Sequence, residues 1–299
     1  MDRIEDLRAF VAVVEQGSLT RAARHLGRSL QSVSRSLAAL EQQLGQELIR
    51  RTTRQSAPTE AARIFYRRLS AALTEIEAAK AQVSNERLEP TGRLRISATS
   101  VFGTMHLVPL ISTFLQAHPQ IEIELDLTDR SVDLVDEGID IAIRLGELPD
   151  SSLKARRLGS VRRVVFASPA YLAQYGRPKR PEDLLEHACI VHTRQGENWP
   201  FRVGSGLRMI RVHGRFRTSG LSAANEAAVR GLGIASSSLY AVQELVKRNK
   251  LEVVLTRFEP PPLPLHAVWP PTQLLAAKTR LFVDFLAQRV KSEAIDSRS

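Results

Sequence analysis

The sequence of 299 residues predicts a chain of mixed α+β and α/β class: a small helical N-terminal domain, a long helix, and a larger α/β part in two lobes. Three patterns predict it. Residues 15–54 carry two short amphipathic stretches separated by a glycine turn, residues 60–88 contain neither Gly nor Pro, and from residue 93 onward strand-like and helix-like segments alternate. A hydrophobic fraction of 43% is enough to fill cores of that size.

In the first domain, Ile4, Leu7, Phe10, Val11 and Val14 form a helical stripe expected to pack under the two helices that follow. Ser18 stands as an N-cap before an apolar set at Leu19, Ala22, Ala23 and Leu26, and Gly27 ends that helix. Ser29 then caps a second helix whose apolar positions Val33, Leu37, Leu40 and Leu44 recur until Gly45 stops it. The free face holds Leu30, Gln31, Ser34 and Arg35 near the helix N-terminus, where a recognition helix of a helix-turn-helix puts side chains against base edges in the major groove. Residues 48–59 read as a two-stranded wing. Its Arg50, Arg51, Thr52, Thr53 and Arg54 are placed to reach phosphates or a minor groove.

Charge agrees with a polyanionic partner. The chain has a formal charge of +10 and a pI near 10.3. From Arg21 to Arg68 there are ten arginines against the glutamates Glu41, Glu47 and Glu60, so this segment alone carries +7. A basic surface is often just a solvated face; a capped helix pair carrying it is a different matter. Beyond the wing, Pro58 and Thr59 open the long helix, with Ile64, Leu69, Leu73, Ile76 and Val83 as its seam. Pairing with a second copy is the economical expectation for such a helix, and packing against its own C-terminal part is the alternative.

Residues 89–92 read as a hinge. After them come strands at 94–98, 121–127 and 139–145 and helices at 105–116 and 132–137, a repeated βαβ order that predicts a mainly parallel sheet. A second lobe starts near Val161, with a strand at 164–167, helices after Pro169 and Pro181, a strand near Ile190, and a polar, glycine-containing section at 195–206. A strand up to Arg217, a helix at 222–230, the turn Gly231-Leu232-Gly233 and a helix at 239–247 follow. The proline-rich run 259–271 suits a polyproline ligand in composition, yet the strand-like 265–269 inside it and the amphipathic helix at 274–290 predict a return to the first lobe.

Several function classes lack support. Cys189 is the single cysteine, so no disulfide forms within the chain and a reducing cytoplasm is expected. The N-terminus has acidic residues and no apolar core of a signal peptide, and no apolar run is expected to span a bilayer, so no membrane partner is expected. His25, His106, His118, His187, His192, His213 and His266 lack the short pairings of zinc sites. Gly204-Ser205-Gly206 is no nucleophile elbow, and neither a dinucleotide fingerprint nor a P-loop is present. The acids Asp133, Asp136, Glu137 and Asp140 read as solvated surface. No enzyme chemistry and no cofactor are expected.

The residues also match a family pattern. Ser18, Ala22, Ala23, Leu26, Gly27, Ser29, Ser34, Arg35, Leu40, Glu41, Leu44, Gly45 and Arg51 through Arg54 together resemble the LysR-type transcriptional regulators. Arg50 departs from the pattern, where an acidic residue is common, as does Ala62, where Gly is usual. Asp140-Ile-Ala-Ile-Arg144, Leu158-Gly159, Ser168-Pro169-Ala-Tyr171, Gly231-Leu-Gly233-Ile234 and Phe282-Val-Asp-Phe285 extend the resemblance to the family's periplasmic-binding-protein-like effector domain, while Ser236 to Ser238 replace the usual apolar residue and Pro.

The resemblance implies an N-terminal winged helix-turn-helix over residues 1–58, a linker and dimerisation helix over 59–88, and a hinge at 89–92. Lobe I of the two-lobed effector domain then covers 93–160 and 265–299, and lobe II covers 161–264. Strand ends facing the crevice between lobes are where such domains take ligands. This places Thr99, Ser100, Phe102, Thr128, Arg144, Gly146, Ser219 and Asn225 around a small-molecule effector, expected to be a small organic or aromatic acid. Expected partners are double-stranded operator DNA, that effector, a homodimer or homotetramer, and RNA polymerase. The reading from another class is a small-molecule binding or transport-related protein whose N-terminal helices only mediate assembly.

Overall fold

The computed structural model describes residues 4–51, 56–83, 90–148, 152–271 and 275–292. Its N-terminal elements are α1 (Ile4–Gln16), α2 (Leu19–His25), α3 (Leu30–Leu44), β1 (Ile49–Arg51), β2 (Ser56–Pro58) and α4 (Glu60–Val83). Then follow β3 (Gly92–Ala98), α5 (Ser100–Phe102), a π-helical turn (Gly103–Leu107), α6 (Val108–Ala117), β4 (Ile121–Leu127), β5 (Ile141–Leu145) and β6 (Lys154–Val161). The rest comprises β7 (Arg163–Ala167), α7 (Pro169–Tyr175), β8 (Val191–His192), β9 (Asn198–Val203), β10 (Gly206–Arg211), β11 (Arg217–Thr218), α8 (Leu221–Val229), β12 (Ala235–Ser238), α9 (Gln243–Lys247), β13 (Glu252–Val254), β14 (Leu263–Trp269) and α10 (Ala277–Ser292), with short 3-10 turns between some of them. Two compact units result, one built on residues 1–91, 132–140 and 270–280 and the other on 92–131, 141–269 and 281–299.

In the first unit the core is made by α1, α2, α3 and the start of α4. Phe10, Val13, Ala22, Val33, Leu37 and Leu40 are almost fully buried there. The α1 stripe is turned slightly from the expected one: Ala9, Phe10, Ala12 and Val13 are the buried set, and Ile4, Leu7, Val11 and Val14 flank it. Leu44, expected in the core, is 43% exposed, because the left-handed Gly45 ends α3 before another turn can carry it inward. Ser18 has the extended backbone of an N-cap but makes no side-chain cap bond. On α4, Leu69 and Leu73 join this core and Ile76 packs beside them, whereas Ile64 is 50% exposed. Phe65 sits 5.4 Å from Phe10, and the Tyr66 hydroxyl donates to Glu15 at 2.9 Å. Leu69, Leu73 and Ile76 of the α4 seam are therefore covered within the chain while Ile64 is not, and the side chain of Val83 lies outside the described residues.

In the second unit a five-stranded sheet has the order β4-β3-β5-β14-β6. β3, β4 and β5 are parallel, and β14 is antiparallel to both its neighbours. The expected return of the chain as a strand and helix is seen here: Leu265 and Ala267 of β14 and Phe282, Val283 and Leu286 of α10 share one core with Ile96, Ile141, Ile143 and Phe114. Chain reversal through β14 makes the sheet mixed rather than simply parallel. Beyond the crossing from β6 to β7, the sheet β12-β7-β13 is antiparallel throughout, while β8 and β11 pair in parallel.

Two local differences have clear causes. Residues 132–137 form turns rather than a helix, since the Asp133 carboxylate accepts the amides of Val135 and Asp136 and so competes with helical bonding. The helical run Ser100–Ala117 reaches 18 residues with a mean hydropathy of 1.2, long and apolar enough to cross a membrane by length and composition, where the sequence reading expects no such run. Phe102, Leu107, Leu110, Ile111 and Phe114 on it are core residues of this lobe.

The glycine turn before β12 shows why its sequence is fixed. The Ile234 amide donates to Ala188 O at 2.9 Å, bringing the two segments so close that a Cβ on Gly233 would lie 2.3 Å from that oxygen. Only Gly fits this approach.

Candidate DNA interface and effector cleft

The N-terminal site begins with the Ser29 side chain, which accepts the Ser32 amide at 3.2 Å and starts α3. With Val33, Leu37 and Leu40 turned into the core, Leu30, Gln31 and Arg35 stand exposed, Leu30 by 48%, and Ser34 is half-buried beside them. Gln31 and Arg35 are one turn apart on the same side of the helix. An amide and a guanidinium at that spacing match the bidentate patterns that adenine and guanine present in the major groove.

Two side chains hold this helix in place. Arg28 donates to Ser32 Oγ at 2.8 Å and Ser36 Oγ at 3.0 Å, and reaches the Glu5 backbone oxygen at 3.3 Å, so it ties α1 to α3. It counts toward the basic charge of the segment, yet its donors serve the fold. The Glu41 carboxylate accepts the amides of Leu48 at 2.8 Å and Ile49 at 3.0 Å, fixing the start of the wing against the end of α3. Thr59 completes the joint by accepting the Ala62 amide at 3.2 Å and donating to Glu47 O. Sequence reading placed Glu41 in the family pattern without a role; its place on the last turn of α3, ahead of the Gly45 turn, is what brings it to the start of the wing.

Across β1 and β2, Ile49 pairs with Pro58, Arg50 with Ala57 and Arg51 with Ser56. Arg50 is exposed on this ribbon. Thr52, Thr53 and Arg54, and the side chain of Arg51, lie outside the described residues.

The second site is at the C-terminal ends of β3, β4 and β5. Parallel pairing puts Ala98 beside Leu127 and Ile143, and the Thr128 amide donates to Ala98 O at 2.9 Å, so Thr99, Ser100, Thr128, Arg144 and Gly146 follow adjacent strand ends. Several of their polar groups are engaged. Asp129 accepts the Ser100 amide at 3.0 Å, Thr128 Oγ1 accepts the Arg130 amide, and Arg144 donates to Ser97 Oγ at 2.9 Å and Ile143 O at 3.2 Å. Thr99 stands at the N-cap of α5 with extended backbone and makes no side-chain cap bond.

Three of the named residues sit differently. Phe102 is 2% exposed in the lobe I core, its ring 5.4 Å from His106 and 5.6 Å from Tyr240, so it stands behind the strand ends rather than on them. Asn225 is 6% exposed inside lobe II, where its amide donates to Ala241 O at 3.4 Å. Three residues after Ser222, the α8 periodicity turns it inward. Ser219 lies at the loop before α8, its backbone oxygen 2.9 Å from His192 Nε2, and the N-cap of that helix is Gly220. Among the described residues no group of three or more His, Cys, Asp or Glu side chains is placed to hold a metal.

Comparison with known proteins bears on both sites. Residues 4–63 match the family model of the bacterial regulatory helix-turn-helix protein, lysR family, and residues 87–291 match the LysR substrate binding domain. An HTH-type transcriptional regulator of Xanthomonas campestris is 34% identical over 97% of this chain and 86% of its own length, and the HTH-type transcriptional activator AaeR of Escherichia coli is 34% identical over 96% and 93%. The solved structure of CrgA, a LysR-type transcriptional regulator from Neisseria meningitidis, is 32% identical, covers 96% of this chain and 98% of its own, and superposes with a TM-score of 0.62. With its helix-turn-helix and its substrate-binding domain both matched, the chain belongs to the LysR-type transcriptional regulators, a family of DNA-binding, effector-responsive, oligomeric regulators rather than enzymes.

Proposed function

We propose that this regulator reads its operator through Leu30, Gln31 and Arg35 of α3, with Ser29 and Ser34 at the helix start, and holds the DNA backbone through Arg50 to Arg54 of the wing. The observation that carries this is the exposed pair Gln31 and Arg35 on a helix whose other side is locked by Val33, Leu37 and Arg28. Base contacts give sequence choice and wing arginines give salt-dependent affinity. Selection of DNA fragments by the purified chain tests it: a set sharing one two-half-site sequence is expected, and an unselective set overturns it. On such a fragment, Arg50→Ala weakens binding to every sequence and flattens the salt slope by about 1.

The working form is a homodimer or homotetramer in the cytoplasm that acts on RNA polymerase at the promoter. Exposed Ile64 on α4 favours a partner helix there. Sedimentation of Ile64→Asp is expected to show dissociation; an unchanged assembly places the contact elsewhere. The domain borders follow the sequence reading, with the DNA-binding domain to residue 58, the linker helix to 88 and the two lobes after 92.

For the effector, the cleft reading rests on Thr99, Ser100, Thr128, Arg144 and Gly146 lying at adjacent strand ends, with Ser219 from lobe II and with Phe102 and Asn225 as wall supports. A small organic or aromatic acid suits one arginine among hydroxyls. Thermal-shift screening of such acids on the full chain tests it, with Ser100→Ala and Arg144→Ala expected to lose the shift. Retained binding in both variants contradicts the cleft.

A further inference from the structure

Lobe II contains a small pocket that none of these residues line. Arg163 and Val165 of β7, Trp199, Pro200 and Phe201 of β9, Ser236 of β12 and Glu259–Pro260 enclose a cavity of about 10 Å³. It lies where the chain crosses between lobes, since β6 ends at Val161 just before Arg163 and β14 begins at Leu263 just after Pro260.

Its polar groups are unevenly matched. Trp199 is 2% exposed, and its indole Nε1–H is buried with no acceptor among the described residues. The Arg163 guanidinium is part-buried, makes no ion pair or hydrogen bond among the described residues, and burial lowers its pKa from the ordinary value with no charge partner opposing the effect. Glu259 does not serve it, because both its oxygens are taken by Arg162 at 2.6 and 2.7 Å. Ser236 accepts a hydrogen bond from Gln195 at 3.0 Å, which leaves its hydroxyl proton free to donate. The lining thus offers a cation, an N–H and an O–H, and its one carboxylate, Glu259, is already bonded through both oxygens to Arg162.

We propose that this pocket binds one small monovalent anionic group, a halide ion or the carboxylate end of an organic molecule, on Arg163, Trp199 Nε1 and Ser236. A desolvated guanidinium is costly unless paired, and water in the pocket would meet the donors without neutralising the charge. A cavity of this size takes a group of about one water's bulk. The remainder of an organic acid lies outside it, past the half-buried Pro200 and Pro260. The carboxylate is recognised by the guanidinium fork.

The protein's two tryptophans, Trp199 and Trp269, make the test direct. In a Trp269→Phe background, Trp199 fluorescence of the full chain is titrated with sodium acetate and with sodium chloride, at ionic strength held by sodium sulfate, whose dianion is too large for the cavity. A saturable change is expected, weakened about tenfold or more in Arg163→Gln and largely kept in Arg163→Lys. Acetate alone saturating assigns the site to an organic acid, and chloride alone to a free ion. Arg144→Ala leaves the response unchanged, which separates this pocket from the cleft. Should Arg163→Gln fold poorly, Trp199→Phe read by thermal melting replaces it, with the anion-dependent rise in Tm expected to fall. Linear, unsaturable changes with both salts, or equal responses in the parent and both variants, overturn the proposal.

Discussion

The helix-turn-helix and lobe II treat their polar side chains in opposite ways. Around α3, Ser29, Arg28, Glu41 and Thr59 all have partners inside the fold, and each bond helps to aim the one face that carries Gln31 and Arg35. In lobe II, the buried Trp199 indole N–H and the part-buried Arg163 guanidinium have no partners among the described residues. On the reading proposed above, the α3 face leaves its donors to solvent until a duplex arrives, whereas the lobe II pocket holds its unmet donors partly away from water. The contrast separates residues that build a site from residues that make up one.

The largest effect expected is on the N-terminal unit. Leu73 is 9% exposed in its core, so Leu73→Asp lowers the stability of that unit by about 4 kcal/mol in urea unfolding, because a charge is buried without a partner. A variant that stays folded and only loses its partner would place Leu73 in an intermolecular seam instead. Glu41→Ala comes next, at about 3 kcal/mol, since two buried amides lose a charged acceptor. A loss below the error of the measurement would mean that the wing is held by its own strand pairing.

Lobe II responds to alkali. Burial pushes the Cys189 thiol from 9.0 up to about 12, so the unfolded chain gives up this proton first. The contribution is full below pH 9 and falls as pH rises toward 12, by about 2 kcal/mol near about pH 10.5. Cys189→Ala is expected to remove that slope, and a slope that survives belongs to other groups. Smaller still is Arg28→Ala. Loss of its bonds to Ser32 and Ser36 costs about 1 kcal/mol and weakens operator binding only as far as α3 loosens, which melting and mobility shift on the same sample distinguish.

The same contrast explains what was legible in the sequence. α3 shows its period through Val33, Leu37 and Leu40, its start through Ser29 and its stop through Gly45, all local signals. β6, β9 and β12 were not read as strands. Lys154–Val161 is polar on its exposed half, Ala235–Ser238 is nearly all serine, and Trp199 and Phe201 alternate with Asn198, Pro200 and Arg202; such segments become strands because tertiary neighbours pair with them. Strand ends of the cleft were found from β3, β4 and β5, whose apolar runs are plain. The burial of Phe102 and Asn225 was not legible, because helix phase, which depends on where α5 and α8 begin, decides whether a residue faces the crevice or the core.

The central claim is that the exposed face of α3 chooses the sequence while the rest of the N-terminal unit only holds it. Its most direct test is the affinity of Gln31→Ala, measured across salt concentrations on the selected fragment and on one with a single base pair changed. Specific binding is expected to weaken by about 1 to 3 kcal/mol, with the same salt slope, the same melting temperature, and a smaller preference between the two fragments. Unchanged discrimination by a folded Gln31→Ala, with Arg35→Ala equally silent, would contradict it.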